Sequence, residues 1–389
     1  MKPSHHFAPI EGLRGYLALW VAIGHGMQTA GYLALPGPLK YLMAGEQAVF
    51  VFVILSGFVI TNLLLQEPVG YLPYLVRRFF RLFPAFVLAC VAGYAVMGLW
   101  SEVAQHAVYN QDGTRYTARV LEIARQTREN TAVHALWHVT MLHGLIPDQW
   151  LPVSPMTFLP AAWSISLEWQ FYLLAPLVLL GTRRPALGAA LVLACLVLQV
   201  AYQRGWLGTY AVNSHIAGMT GYFAIGIFSR LALPRLQQQP WPALPVALLA
   251  VLMVATLSRG EALAAMVWAG FLPFLVWRQQ SPRAGRVFDL LTTNPAILLL
   301  GTTSYSLYLF HRPLQVSLAA WAQAHGLQGP QMVGVMMLAV ACTVPVAWAA
   351  YRWVEVPGQR LGKRLAQRLQ QKQSPVPRPA AQSADVFHA

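Results

Sequence analysis

Repeated apolar runs, each about as long as a bilayer is thick, constrain this chain more than any other feature. Val49–Leu65 reads VFVFVILSGFVITNLLL and Ala186–Tyr202 reads ALGAALVLACLVLQVAY, with no charge in either. Crossing the hydrocarbon core as a helix takes about 20 predominantly apolar residues. Lipid offers no partner to backbone N–H and C=O groups, so a spanning segment must be a helix or part of a closed barrel. Barrel strands alternate in polarity over short segments, and these runs do not alternate. The whole chain is 57% hydrophobic and 10% charged, against about 25% charged residues in a soluble domain. Its mean hydropathy of +0.48 is too high for a single anchor. The predicted fold class is all-α, a polytopic transmembrane helical bundle.

About ten spans are predicted, at 11–31, 46–66, 74–99, 161–181, 186–204, 213–233, 243–258, 262–278, 294–318 and 331–353. The seventh and eighth are short and joined by the turn SRGEA, so they read as tilted or re-entrant. The net charge of +14 raises the possibility of nucleic acid, but the Lys and Arg residues gather between apolar runs and in the tail. That is the cytoplasmic-loop bias of membrane proteins, and it predicts an N-in, C-in topology with no nucleic-acid role. Residues 1–357 form the predicted membrane domain, with an outer loop over 100–160. So long a connection is usually functional, here as a cap over a site. Residues 358–389 form a basic, Gln- and Pro-rich cytoplasmic tail, read as a surface helix followed by disorder. No cleavable leader, internal repeat or second soluble domain is expected. Cys90, Cys195 and Cys342 lie in apolar runs without motif partners and read as core residues.

Ionisable residues inside spans are costly in lipid and mark functional sites by default. The first span carries Arg14 and His25, eleven positions apart. That spacing is close to three turns, so both fall on one helical face about 16 Å apart. Ordinary readings remain, with Arg14 snorkelling and His25 satisfied by one hydrogen bond. Ser56 and Gly57 sit mid-way along the second span, where small residues allow close packing or line a cavity. A Ser56 nucleophile lacks the strand–turn–helix setting of a nucleophile elbow. Arg77, Arg78 and Arg81 open the third span. They serve topology, or match phosphate oxygens with guanidinium forks, or both. Glu168 lies near the start of the fourth span, as a working carboxylate or as partner to an Arg or His. His311 and Arg312 fall in the ninth, next to Pro313, where a kink is plausible. His134 and His138 have a spacing that can bind zinc, but no third ligand is evident and no metal is expected. By depth, His25, Glu168 and His311 group outward, and the arginines group inward.

These motifs, in this order over residues 8–357, resemble the acyltransferase-3 family of bacterial integral-membrane O-acyltransferases. IEGLRGYLALWVAIGHG is similar to the family's Arg-x10-His first span, and FVILSGFVIT to its Ser-Gly-Phe motif. RRFFRLFP is similar to its Arg-x-x-Arg motif, WSISLEWQFYLL to its Trp-Ser-x-Ser-x-Glu segment, and SYSLYLFHRPL to its Tyr-Ser-x-Tyr-x-x-His segment. The chain departs from the common pattern with Glu11 for Asp, Phe50 for Asp and Arg312 for Trp. The extra hydrolase-like domain of some members is not expected. The resemblance implies transfer of an acyl group, most simply acetyl from cytoplasmic acetyl-CoA, to a hydroxyl of a carbohydrate or glycolipid. It implies catalytic roles for His25, Glu168 and His311, with Glu168 orienting or stabilising a charged His25. Arg14, Arg77, Arg78 and Arg81 would hold the donor, and Ser56 and Gly57 would line the cavity. Acyl-CoA is a co-substrate in this reading, no cofactor is bound permanently, and the setting is the bacterial inner membrane. Two other classes stay open: an exporter of a small hydrophilic or glycolipid molecule, and a scaffold of an envelope-assembly complex.

Overall fold

The computed structural model describes residues 7–66, 70–238, 262–277 and 282–373. Among these every regular element is a helix. In chain order they are α1 (Ala8–Thr29), α2 (Gly45–Gln66), α3 (Tyr71–Ala95), α4 (Met97–His106), α5 (Thr114–Glu129), α6 (Thr131–Val139), α7 (Trp163–Arg183) and α8 (Pro185–Gln203). There follow α9 (Ile216–Gln238), α10 (Ala262–Trp277), α11 (Pro282–Thr293), α12 (Pro295–Thr302), α13 (Ser304–Ala324) and α14 (Pro330–Ala350). A π-helical stretch, Tyr351–Glu355, then leads into α15 (Val356–Gln373).

Among the described residues, five helical stretches are long and apolar enough to cross a membrane: Gly45–Gln66, Pro160–Gly181, Ala186–Gln203, Ile216–Gln238 and Pro330–Gln371. A sixth is added if α3 and α4, bent by 52°, form one broken span. α8 shows why the surrounding solvent must be lipid. Leu193 is 63% exposed and Val197 57% on a helix with no charge between Ala186 and Gln203, a surface that soluble proteins avoid. α1 and α13 have the length of spans but are not among the five. Arg14 and His25 on α1, and His311, Arg312 and Gln315 on α13, lower their hydropathy.

Several predicted boundaries change. The third span bends at Val96 instead of running to 99, and α4 turns across to α13, where Gln323 Nε2 donates to Val103 O at 3.0 Å. The ninth span is two helices. Asn294 caps α12 by accepting from Ile297 N at 3.0 Å, with Pro295 at the first turn, and the break falls at Thr303. α13 runs on through Pro313 as one helix. The tenth span does not stop at 353. Its helix continues through the π turn into α15, whose Gly358 and Gly362 lie against Pro84 and Phe80 of α3. The predicted seventh span, 243–258, lies outside the described residues. The eighth is the 16-residue helix α10.

α1, α2, α7 and α13 surround the interior, with α9 on α2 and α14 on α13. The α2–α9 contact is backbone-close. A Cβ on Gly57 would sit 2.4 Å from Phe223 O, and one on Gly226 2.0 Å from Ile54 O. Small residues that admit such approach drive helix packing where lipid supplies no hydrophobic force. Phe50, in the position noted above, is fully buried and stacks on Tyr222 with centroids 5.1 Å apart. Of the three cysteines, Cys90 alone is buried as expected. Cys195 and Cys342 are half-buried, because each sits on a helix with a broad outer face.

Candidate active site

Four polar contacts fix how α13 lies along α1. Along α1 from its N-terminal end, Arg14 Nε donates to Ser304 Oγ at 3.3 Å and Gln315 Nε2 to Ala22 O at 2.7 Å. His25 Nδ1 meets His311 Nε2 at 2.9 Å, and Arg312 Nη1 donates to Thr29 Oγ1 at 2.6 Å. The two imidazoles lie nearly parallel, 6° apart in plane, and His311 is fully buried behind His25. One ring must donate and the other accept, so each ring fixes the other's tautomer. Polar contacts of this kind are the glue of membrane interiors.

Two cavities adjoin this line, one toward the C-terminal end of α1, termed outer, and one toward its N-terminal end, termed inner. The outer one has a volume of about 480 Å³ and is lined by His25, Glu46, Trp100, Arg119, Tyr210 and Arg312, among others. The inner one, of about 50 Å³, is lined by Arg14, Ser56, Ser164, Glu168, Ser304 and Tyr305 with several apolar side chains. Val49 and Tyr308 belong to both. Tyr308 is held in place: its hydroxyl accepts from Ser164 Oγ at 2.8 Å and donates to Ala161 O at 3.0 Å. It forms the partition between the two spaces.

The predicted residues therefore divide differently from the expected grouping. His25 and His311 come together as anticipated. Glu168 does not reach them. It accepts from Tyr172 Oη and from Ser56 Oγ, the latter at 3.4 Å, and lines the inner cavity opposite Arg14. The reason is helical phase, since Glu168 and Tyr172 stand one turn apart on α7. His25 finds its partner on α13 instead. Ser56 lines the inner cavity. Gly57, one residue on, faces α9 and lines neither.

The arginine cluster sits behind the inner cavity and does not line it. The guanidinium of Arg78 lies 5.8 Å from the Tyr172 ring centroid, a cation–π distance. Tyr172 and Glu168 thereby connect the cluster to the cavity wall. Arg14 itself is 4.0 Å from Glu11 and 6.0 Å from the Phe52 ring centroid.

Sequence reasoning missed Glu355. It is 1% exposed, accepts from Ser306 Oγ, and its charge acts on Arg81. The signal was an acidic residue two places past the predicted end of the tenth span. It also missed Tyr172, Tyr308 and Ser164, whose hydroxyls look like ordinary helix residues until the helices are assembled. Arg312, whose partner the sequence did not name, bonds Thr29 Oγ1, His25 O and Tyr116 Oη, and lies 5.0 Å from the Trp100 ring centroid. Among the described residues no three His, Cys, Asp or Glu side chains are grouped to hold an ion. His138 stacks on His143 at 3.9 Å.

BcsY of Komagataeibacter xylinus, assigned as a membrane-bound transacylase, is 27% identical over 357 residues, covering 88% of this chain and 81% of BcsY. The O-acetyltransferase OatA of Staphylococcus aureus strain MRSA252 is 23% identical, covering 96% of this chain and 60% of OatA. OatA of strain NCTC 8325 is likewise 23% identical, covering 93% and 58%. The chain thus spans about three fifths of the OatA proteins. No solved structure matches it. A family model described as an acyltransferase domain matches residues 7–352, nearly all of the helical bundle and every motif described above. The chain belongs to the acyltransferase-3 family and is a membrane acyltransferase.

Proposed function

We propose that the protein moves an acyl group, acetyl in the simplest case, from cytoplasmic acyl-CoA to a hydroxyl of a carbohydrate or glycolipid on the far side of a bacterial inner membrane. The observation that carries this reading is the His25–His311 pair, 2.9 Å apart, at the floor of the outer cavity. The topology in this proposal has about ten spans with both termini in the cytoplasm. The basic tail then faces anionic lipid, and the arginine cluster faces the polyanionic donor.

In this reading His25 Nδ1–H donates to His311 Nε2. The lone pair of His25 Nε2 is then free to take the proton of the acceptor hydroxyl. The acceptor oxygen bonds to the thioester carbonyl carbon, the carbon–sulfur bond breaks, and CoA leaves as thiolate. The proton taken by His25 passes to that sulfur. A positioned general base of this kind contributes about 10²–10⁴-fold. Transient acylation of His25 is the variant mechanism. Arg14, Arg77, Arg78 and Arg81 hold the donor phosphates, and the acyl end reaches His25 past Tyr308. Glu168, held by Tyr172 and Ser56, sets the charge of the inner cavity rather than the orientation of His25. CoA is a co-substrate here, and the chemistry needs no permanently bound cofactor.

The test is transfer from radiolabelled acetyl-CoA by the purified full chain in nanodiscs with a crude envelope-glycan pool. Wild type should release CoA and label glycan, and His25→Ala should fall by about 100-fold or more. A folded His25→Ala that transfers normally would sink the assignment. Arg78→Ala and Arg81→Ala should raise KM for acetyl-CoA more than they lower kcat. An unchanged KM would remove the donor-site reading alone.

A further inference from the structure

Arg312 occupies an unusual position. It is 5% exposed, yet it lines the outer cavity beside His25. Its hydrogen-bond partners among the described residues are Thr29 Oγ1, His25 O and Tyr116 Oη, all neutral. No described carboxylate lies within 4.0 Å of it. A buried guanidinium stays charged, and taking it out of water without a counter-charge is expensive.

The remaining charges of the cavity do not settle the account. Among the described residues, the lining contains one carboxylate, Glu46, and one other arginine, Arg119. These two act on each other, and Glu46 also accepts from Asn213 Nδ2 at 3.2 Å. The surplus cation is therefore Arg312. It is also preorganised. Thr29 Oγ1, Tyr116 Oη and the Trp100 ring hold the guanidinium plane in one orientation. A fixed planar fork is the group that recognises a carboxylate or phosphate in two-point fashion. Trp100 and Tyr210 add ring faces of the sort that pack on sugar rings, in a cavity large enough for a sugar unit.

We infer that the outer cavity takes an acidic acceptor, a sugar bearing a carboxylate or phosphate, and that Arg312 pairs with that anion while the hydroxyl to be acylated reaches His25. The inference rests on the acceptor side of the reading above. It adds the charge of the substrate and the residue that selects it.

The experiment compares oligoglucuronate, glucose 6-phosphate and neutral oligoglucose on the full chain in nanodiscs. Each is measured twice: as stimulation of CoA release from acetyl-CoA, and as binding by quenching of tryptophan fluorescence, to which Trp100 contributes. At least one acidic probe should be preferred over the neutral one by about tenfold, the discrimination that about 1.4 kcal/mol gives. Which acidic probe wins identifies carboxylate or phosphate. Arg312→Gln should bring the ratio close to one, and Arg312→Lys should restore part of it. Equal use and equal binding of acidic and neutral sugars by wild type overturns the inference. So does an Arg312→Gln variant that keeps the preference, or one that loses affinity only for acetyl-CoA. If wild type releases no CoA with any probe, the acyl-CoA reading fails, and the binding ratio alone decides the acidic acceptor.

Discussion

At the scale of the residue, His134 shows how much a single buried polar side chain can weigh in the proposed cap. It is 0% exposed, and neither ring nitrogen has a hydrogen-bond partner. An unsatisfied buried donor costs about 1–3 kcal/mol. Burial also holds His134 and His138 down at about 4, against about 6.5 in an unfolded chain. Between those values the unfolded cap binds protons that the folded cap refuses. Stability from this source is complete above about pH 6.5 and declines as pH falls towards 4. His134→Leu should therefore raise the thermal midpoint at pH 7.5 and shrink its drop between pH 7.5 and pH 5. A scan at both pH values checks this, and a midpoint lowered at both would contradict it. Most single residues of the site were legible in the sequence because charge inside an apolar run is conspicuous. His25 and His311 stood out in that way, whereas Tyr308 and Ser164 did not. Their importance lies in a contact between α7 and α13 that no spacing within either helix reveals.

At the scale of the element, sequence periodicity located helices well and their ends poorly. Residues 294–318 read as one span because apolar content persists across Thr303, although Asn294-Pro295 did mark a cap. The α3–α4 bend at Val96 falls between Gly93 and Gly98. It is set by what α4 must reach, with Trp100 under Arg312 and Val103 against Gln323. The α2–α9 pair illustrates the opposite case, where a local sequence feature decides the packing. With Gly226 facing Ile54 O and Gly57 facing Phe223 O, neither position has room for a larger side chain. Gly226→Val should push the helices apart and lower stability by about 2 kcal/mol or more, in the range of overpacked cores. Because α2 carries Ser56 and Val49 into the cavities, activity should fall as well. Thermal denaturation of the detergent-purified variant, read beside acetyl transfer, checks both parts. A stable and fully active Gly226→Val would show that the close approach is dispensable.

At the scale of the whole molecule, topology was read from cationic loops, a signal that specifies sidedness but not how helices meet. In a variant with Cys90, Cys195 and Cys342 replaced by Ala, Trp150→Cys should react with an impermeant maleimide added to intact cells. Lys363→Cys should react only after the membrane is opened. The reverse pattern would invert the molecule and put the arginine cluster on the far side. After 357 the composition turns polar, yet α14 runs through the π turn into α15 as one continuous helical stretch. That continuity has a consequence for how the chain tolerates insertions and deletions. The π turn at Tyr351–Glu355 holds one residue more than the α-helix on either side would. Losing one residue inside the turn would restore the ordinary winding and leave everything downstream in nearly its present register, whereas losing one from the α-helix just before it would rotate α15 by about 100°. In the second case Gly358 and Gly362 would swing away from α3 and present bulkier neighbours in their place. A deletion that shortens the protein by one residue would thus be absorbed within the turn and act as a twist outside it, undoing the seat of α15 without removing any residue that forms it.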